Sequence, residues 1–403
     1  MRILTTLTYY RPHYSGLTIS AERQARALAQ RGHHVTVLTS RYNNALPAHE
    51  FQDGVEIIRS QVLMRISKGV IMPAMTLQAW KLIQQSDVVH LHLPQLDAAP
   101  IALAARLLHK PVVLTYHCDL ILPRGAVHWL ANQVSHIANA ISATAAQRIV
   151  STTRDYAENS PFLKRYHSKL YPITLPVQME TATPEELVAF KQKCGLQEGQ
   201  KVIGMVARLA TEKGVEFLAE ALPVVLQKYP NARVLHVGPY QNIVGEEAYA
   251  RRLKPLLDSL GEHWSFLGVL PDQEFAAFFQ ACNLTVLPSI NSTESYGLVQ
   301  VESMKCGTPV VASDRPGMRV PVQATRMGLL FPPCDAQALA QAILKILDFP
   351  EAYRGSPREL LEASRPEAVA EEYETLFRLV METQSRPGRS SQKTASRILK
   401  PPK

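Results

Sequence analysis

Ser292-Thr293-Glu294-Ser295-Tyr296-Gly297-Leu298-Val299-Gln300-Val301-Glu302 follows a short apolar run, Asn283 to Ser289. The run is brief, β-branched and closed by Pro288, as a buried strand would be. Past Tyr296 the apolar residues Leu298, Val301 and Met304 keep the spacing of one helix face. The stretch therefore reads as strand, turn, helix, with Glu294 on the turn and Glu302 about two turns into the helix. Gly297 allows a ligand close to the backbone, beside amides that a helix leaves unpaired at its start. Such an end can seat a phosphate. A helical rise of ~1.5 Å per residue puts the two carboxylates about 12 Å apart along the axis. That is wider than the ~5–9.5 Å of paired glycosidase acids. It suits a grip on hydroxyls at both ends of a nucleotide-sugar, with the diphosphate between.

Working outward, the chain of 403 residues has room for two domains. Its charge is unevenly shared. Residues 1–180 carry 18 basic against 10 acidic side chains, residues 181–382 carry 19 against 25, and residues 383–403 carry 6 basic and none acidic. A basic first half points to an anionic partner, either a membrane surface or an acceptor. Nucleic acid is not expected, because no aromatic-basic motif or recognition helix is present. The basic, weakly apolar tail 383–403 is expected to be disordered. Five scattered cysteines without CxxC spacing suggest reduced thiols and no zinc site. No run approaches the ~20 apolar residues of a spanning helix. The opening residues Met1–Leu7 read as a strand rather than a signal peptide. These features point to the cytoplasm, with peripheral attachment to the inner face of the membrane as a further expectation.

Both halves alternate β-branched runs with helical ones, the pattern of parallel sheets with crossover helices. Strands are expected at 2–7, 34–39, 55–59, 88–93, 112–117 and 148–152, then at 202–207, 233–237, 265–267, 284–287, 309–312 and 328–331. Helices are expected near 18–31, 74–84, 98–109 and 127–146. The linker falls between Pro176 and Gln200, where Thr183-Pro184-Glu185-Glu186 starts a helix. The fold class is α/β, with two Rossmann-like, doubly wound sheets (1–176 and 177–365) facing a cleft at their C-terminal strand edges. A last helix is expected over 366–382.

Ala207-Arg208-Leu209-Ala210-Thr211-Glu212-Lys213-Gly214 follows the first strand of the second half. Arg208 and Lys213 would place two cations on a diphosphate whose charge grows as a sugar bond breaks. In the first half, Ser15-Gly16 lies between the first strand and its helix, and Thr115-Tyr116-His117-Cys118-Asp119 ends the fifth strand. Asp119 could bind an acceptor hydroxyl. No G-x-G-x-x-G is present, which removes the main support for a dinucleotide oxidoreductase.

These motifs resemble glycosyltransferase family 4, retaining enzymes of the GT-B fold. Glu294 to Glu302 matches its E-x7-E signature, Met304-Lys305-Cys306-Gly307-Thr308-Pro309 follows as in that family, and Arg208 to Gly214 matches its R-L-x-x-x-K-G. The family has Gly-Gly where this chain has Ser15-Gly16, so one glycine is replaced. The resemblance implies a nucleotide-diphosphate sugar as donor and a glycan or lipid-linked molecule as acceptor. It makes His117 a contact of the transferred sugar, and it places Gly238 before a loop that touches the base. Donor contacts would come from Gly16, Arg208, Lys213, Gly238, Glu294, Glu302 and the amides of Gly297, Leu298 and Val299. Ser15 and Asp119 would meet the acceptor, and the last helix would cross back to the first domain.

The implied activity is retaining transfer of a hexosyl group, with Glu302 on the ribose and Glu294 on the sugar. No cofactor or metal is expected, since side chains and amides can neutralise the phosphate and no D-x-D-type cluster is present. The alternatives are an epimerase on the same fold and a non-catalytic nucleotide-sugar-binding protein. Arg65 to Lys81 and Leu122 to Leu130 mix basic and apolar residues and read as a membrane-facing patch.

Overall fold

The computed structural model describes residues 1–66, 69–119, 126–241, 243 and 245–385. The first half supplies strands β1 (Arg2–Thr6), β2 (His34–Arg41), β3 (His49–Gln52), β4 (Val55–Gln61), β5 (Met64–Ile66), β6 (Gly69–Ile71), β7 (Val88–Leu93), β8 (Val112–Tyr116), β9 (Arg148–Ser151) and β10 (Leu170–Pro172). The second supplies β11 (Val202–Val206), β12 (Arg233–Val237), β13 (Trp264–Gly268), β14 (Leu284–Leu287), β15 (Val310–Ser313) and β16 (Gly328–Phe331). They form an eight-stranded sheet, β10-β9-β8-β7-β1-β2-β4-β3, and a six-stranded sheet, β13-β12-β11-β14-β15-β16, with β5 and β6 as a separate hairpin. All pairings within the two large sheets are parallel except β3 with β4. The architecture is the α/β, GT-B arrangement of two doubly wound sheets.

Parallel strands covered by helices on both faces are shut off from water along their length and read as near-continuous apolar runs. Accordingly, every residue of β7, β8, β14 and β15 is buried. β3 escaped the sequence reading because His49-Glu50-Phe51-Gln52 is largely exposed and carries no apolar alternation. The first helix runs over Gly16–Gln30 rather than from Thr18, because the Ser15 hydroxyl accepts from the Thr18 amide at 3.2 Å and caps it earlier. The helix at Pro184–Lys193 opens on a reciprocal cap. Thr183 Oγ1 accepts from the Glu186 amide at 3.2 Å, and Glu186 accepts from the Thr183 amide at 2.8 Å.

The last helix extends to Ser385, three residues past its expected end, so 383–385 belong to it and not to a disordered tail. Residues 386–403 lie outside the described residues. Val369, Tyr373, Leu376, Phe377 and Val380 share one face and pack on Ile3, Leu7, Ala21, Ala25 and Leu28 of the first half. Each such burial contributes about 1.5–3 kcal/mol, so the helix is held to that half by something on the order of 10 kcal/mol. The segment from Arg65 to Lys81 is mostly structural: Val70, Met72, Met75 and Ala79 enter the core. Leu77 and Trp80 face outward instead. In the second apolar-basic segment, residues 122–125 and the side chains of 126–130 lie outside the described residues.

Candidate active site

Strand order reverses between β1 and β7 in one sheet and between β11 and β14 in the other. Neighbouring connections leave to opposite faces at such a point, which opens a crevice beyond the strand ends. The loops after β1, β11 and β14 meet there around a cleft of about 560 Å³. Gly16, Lys213, Gly238, Glu294, Gly297, Leu298, Val299 and Glu302 line it, together with Arg11 and Arg23 of the first half. Ser15, His117, Asp119 and Arg208 are not on its wall.

Two glycines shape this corner, Gly297 at the end of the turn after β14 and Gly214 in the loop after β11. Gly297 has φ +73°, and a Cβ there would stand 2.4 Å from Gln300 Nε2. That amide is buried and donates to the carbonyls of Tyr296 (2.9 Å) and Met318 (3.0 Å), so it cannot yield without losing both bonds. The helix starts only at Leu298, which leaves Glu302 little more than one turn inside it rather than two. Glu294 Oε1 accepts from the Gly297 amide at 3.0 Å, so the first of the three amides read as a phosphate seat is occupied by a carboxylate. Its other oxygen, Oε2, accepts from Lys213 Nζ at 2.5 Å. Lys213 ends the turn Thr211–Lys213, which Gly214 (φ +61°) closes against Pro288; a Cβ on Gly214 would stand 2.2 Å from the Pro288 carbonyl. Arg208, on the same loop, is paired with Glu212 and half exposed. Both cations are therefore held by neighbouring carboxylates. Gly238 has a packing reason of its own, since a Cβ there would stand 2.4 Å from the Ala207 carbonyl.

Glu302 is buried and pairs with Arg23 Nη2 at 3.0 Å, while Arg23 Nη1 donates to the Pro176 carbonyl at 3.3 Å. Burial pushes the Glu302 carboxyl up, and Arg23 opposes this. Further bonds join the halves. Arg319 forks onto Asp155 (2.9 and 2.6 Å), and the Gly317 amide donates to the same carboxylate at 2.7 Å. Thr152 donates to the Ser295 carbonyl at 3.3 Å. Arg23 and Asp155 were missed by sequence reasoning. For Arg23 the signal was there: Ile19, Arg23 and Arg26 continue a helical period from Gly16, and all line the cleft.

His117 and Asp119 lie behind the cleft wall. The His117 ring is buried, with Nε2 2.8 Å from His92 Nδ1, and burial holds its pKa down at about 3. It is therefore neutral. Asp119 Oδ1 accepts from Tyr116 (3.0 Å) and Ser160 (2.8 Å). The Asp119 amide donates to the Tyr156 hydroxyl at 2.7 Å, which donates in turn to the Ser292 carbonyl at 3.1 Å. Cys118 between them is pushed up to about 12 by burial, with Glu294 raising it further and Lys213 lowering it. The segment therefore lies within electrostatic reach of the Lys213–Glu294 pair. Ser15 acts as a helix cap, and a Cβ on Gly16 would meet nothing within 4 Å, so that position is open toward the cleft.

Comparison with known proteins agrees with this fold. The family model of the glycosyl transferase 4-like domain matches residues 15–165, and that of glycosyl transferases group 1 matches residues 189–359. The chain belongs to the glycosyltransferases of family 4 type. It is similar to an uncharacterized glycosyltransferase of Methanocaldococcus jannaschii, 24% identical over 409 residues, covering 96% of this chain and 100% of that one. A D-inositol 3-phosphate glycosyltransferase of Corynebacterium urealyticum is 31% identical over 206 residues, 49% of this chain and 48% of that protein. Among solved structures, sucrose-phosphate synthase from Thermosynechococcus elongatus superposes with a TM-score of 0.74 at 23% identity, covering 95% of this chain and 99% of that chain. Anabaena HepE in complex with UDP-glucose superposes with a TM-score of 0.72 at 20% identity, covering 96% and 99%.

Proposed function

We propose that this glycosyltransferase moves a hexosyl group from a nucleotide-diphosphate sugar to an acceptor hydroxyl with retention of configuration. The observation that carries the reading is the Lys213–Glu294 pair beside the helix start at Leu298, at the topological switch point. A diphosphate entering there exchanges the carboxylate partners of Lys213 and Arg208 for its own oxygens, with the Leu298 and Val299 amides beside them. Glu294, released from Lys213, takes sugar hydroxyls, and Glu302 takes the ribose diol. The leaving phosphate then receives the acceptor proton on the face it departs from. Closure of the two halves keeps out water that would hydrolyse the donor. Side chains and amides supply the neutralising charge, so transfer continues in excess EDTA. That HepE is a complex with UDP-glucose supports a nucleotide-sugar donor.

The acceptor we favour is lipid-linked and met at the inner face of the membrane. Leu77 and Trp80 on the helix Pro73–Gln85, Leu103 and Leu107 on Ala98–Leu107, and Ile137 on Ala126–Ala145 are exposed on three helices that pack in series. No helix among the described residues is long and apolar enough to cross a membrane. Calorimetric titration with UDP-, GDP- and ADP-sugars tests the donor, and NMR of the product anomer tests retention. Binding of none of them, or an inverted product, overturns the reading. Conversion of the sugar without any acceptor would favour an epimerase instead.

A further inference from the structure

His90 and His92 point to the same side of β7, and their ring centroids lie 4.2 Å apart. His90 Nε2 is 2.7 Å from Thr115 Oγ1, which is 2.9 Å from the hydroxyl of Tyr373 on the last helix. His92 is 1% exposed, and its Nδ1 lies 2.8 Å from His117 Nε2. Its other nitrogen, Nε2, is buried without a hydrogen-bond partner among the described residues. One hydrogen must lie between the two rings, and either nitrogen could own it.

The orphan nitrogen decides the matter. If His117 donated, neutral His92 would carry its proton on Nε2, a buried N–H with no acceptor, which folded proteins almost never contain. If His92 donates from Nδ1, only a bare lone pair is left at Nε2. Burial holds both imidazoles well below their ordinary range, so a doubly protonated ring does not offer a third arrangement.

We propose that His92 is a positioning residue whose Nδ1–H donates to His117 Nε2 and so keeps the proton of His117 on Nδ1. The backbone amide of His117 donates to the Leu93 carbonyl at 3.0 Å, which anchors the same residue at the end of β8. Among the described residues Nδ1 of His117 has no hydrogen-bond partner either, but unlike Nε2 of His92 it is not shut off from solvent, so its N–H is the one that water or a ligand can satisfy. His117 then offers the substrate a hydrogen-bond donor and cannot act through that atom as a base. The role for the substrate rests on the reading of His117 as a sugar contact; the tautomer itself does not.

Long-range ¹⁵N–¹H correlation spectra of the full chain with ¹⁵N-labelled histidine test the assignment without any substrate. Signals are assigned by their loss in His92→Gln and His117→Gln. Protonated Nδ1 on both rings and bare Nε2 on both is the expected pattern. A proton on His117 Nε2, or an imidazolium at neutral pH, overturns the proposal even if the enzyme transfers sugar as expected. For the positioning role, His92→Phe is expected to lower kcat about 10- to 100-fold while leaving the KM for the nucleotide-sugar unchanged. His92→Asn, whose amide can donate from nearly the same place, should recover part of the loss. Unchanged kcat in a folded His92→Phe variant overturns the role. Should that variant fail to fold, the wild-type tautomer pattern still decides the assignment.

Discussion

Arg23 and Glu302 are 279 residues apart in the chain and meet at 3.0 Å across the cleft. Both side chains are nearly shut off from water, at 13% and 4% exposure. A buried carboxylate that loses its paired cation is costly, because the charge keeps its desolvation penalty without its attraction. Arg23→Ala is therefore expected to destabilise the protein by about 3–5 kcal/mol, and the double variant Arg23→Ala/Glu302→Gln by clearly less. Urea unfolding of the set measures this, and equal losses in the single and double variants would contradict it.

Lys213→Ala and Arg208→Ala are each expected to reduce transfer by about 10²–10³ with the fold intact, the usual effect of deleting a donor aimed at a developing charge. Single-turnover rates and circular dichroism provide the check. Wild-type turnover in both would remove the phosphate clamp.

Glu302→Gln is expected to weaken binding of the free nucleoside diphosphate. Glu294→Gln is expected to spare that binding and slow sugar transfer, since Glu294 sits on the turn beside Lys213 and Glu302 lies deeper in the helix. Titration of each variant separates the two, and an equal loss of affinity would mean the roles are misassigned.

The clasp of the last helix should respond to acid. Glu374 accepts from Arg378 (2.7 Å) and Arg31 (2.8 Å), and these bonds, with His33 nearby, hold its carboxyl down at about 2 from 4.5. A carboxyl depressed in the folded state binds fewer protons there than in the unfolded chain. Its stabilisation is thus complete above about 4.5 and fades as the pH falls toward 2. The stability gap between wild type and Glu374→Gln should accordingly be larger at pH 6 than at pH 3, as read from urea midpoints. A gap independent of pH would rule this out.

Membrane attachment is expected to survive removal of residues 386–403, which carry six basic side chains that could bind lipid by themselves. Lys81 and Arg106 lie exposed near Trp80 and Leu107 in sequence, and each such charge contributes ~1 kcal/mol at an anionic surface. The shortened chain should sediment with anionic vesicles at low salt, and Leu77→Ser/Trp80→Ser should weaken this. Failure to sediment with any vesicle would favour a water-soluble acceptor.

What could be read in advance follows the range of the interactions. β11 and β14 are short, mostly apolar and mostly buried runs closed by turn residues, so their nature is local and legible. The glycines at 214 and 297 were legible as turn residues. The clashes that demand them, with Pro288 and Gln300, were not, because tertiary approach creates them. The late start of the helix after Gly297 was hidden for a related reason, since Glu294 takes the Gly297 amide and holds the turn open. The pairings Arg23–Glu302 and Asp155–Arg319 join distant segments and leave no trace in spacing. His92 was concealed differently, within Val88-Val89-His90-Leu91-His92-Leu93, where two histidines read as tolerated members of a buried strand.

The packing of Val369, Tyr373 and Phe377 onto Ile3, Leu7 and Leu28 has a consequence for biosynthesis. The strand Arg2–Thr6 and the helix Pro366–Ser385, made before and after the second sheet, close one and the same core. While the ribosome is still adding the second sheet, the first half waits with an apolar strip uncovered. Its native state is completed only when the helix Pro366–Ser385 has been made, after the second sheet, contrary to the usual domain-by-domain order. A chain cut short before Pro366 would therefore hold both sheets with one of them unsealed.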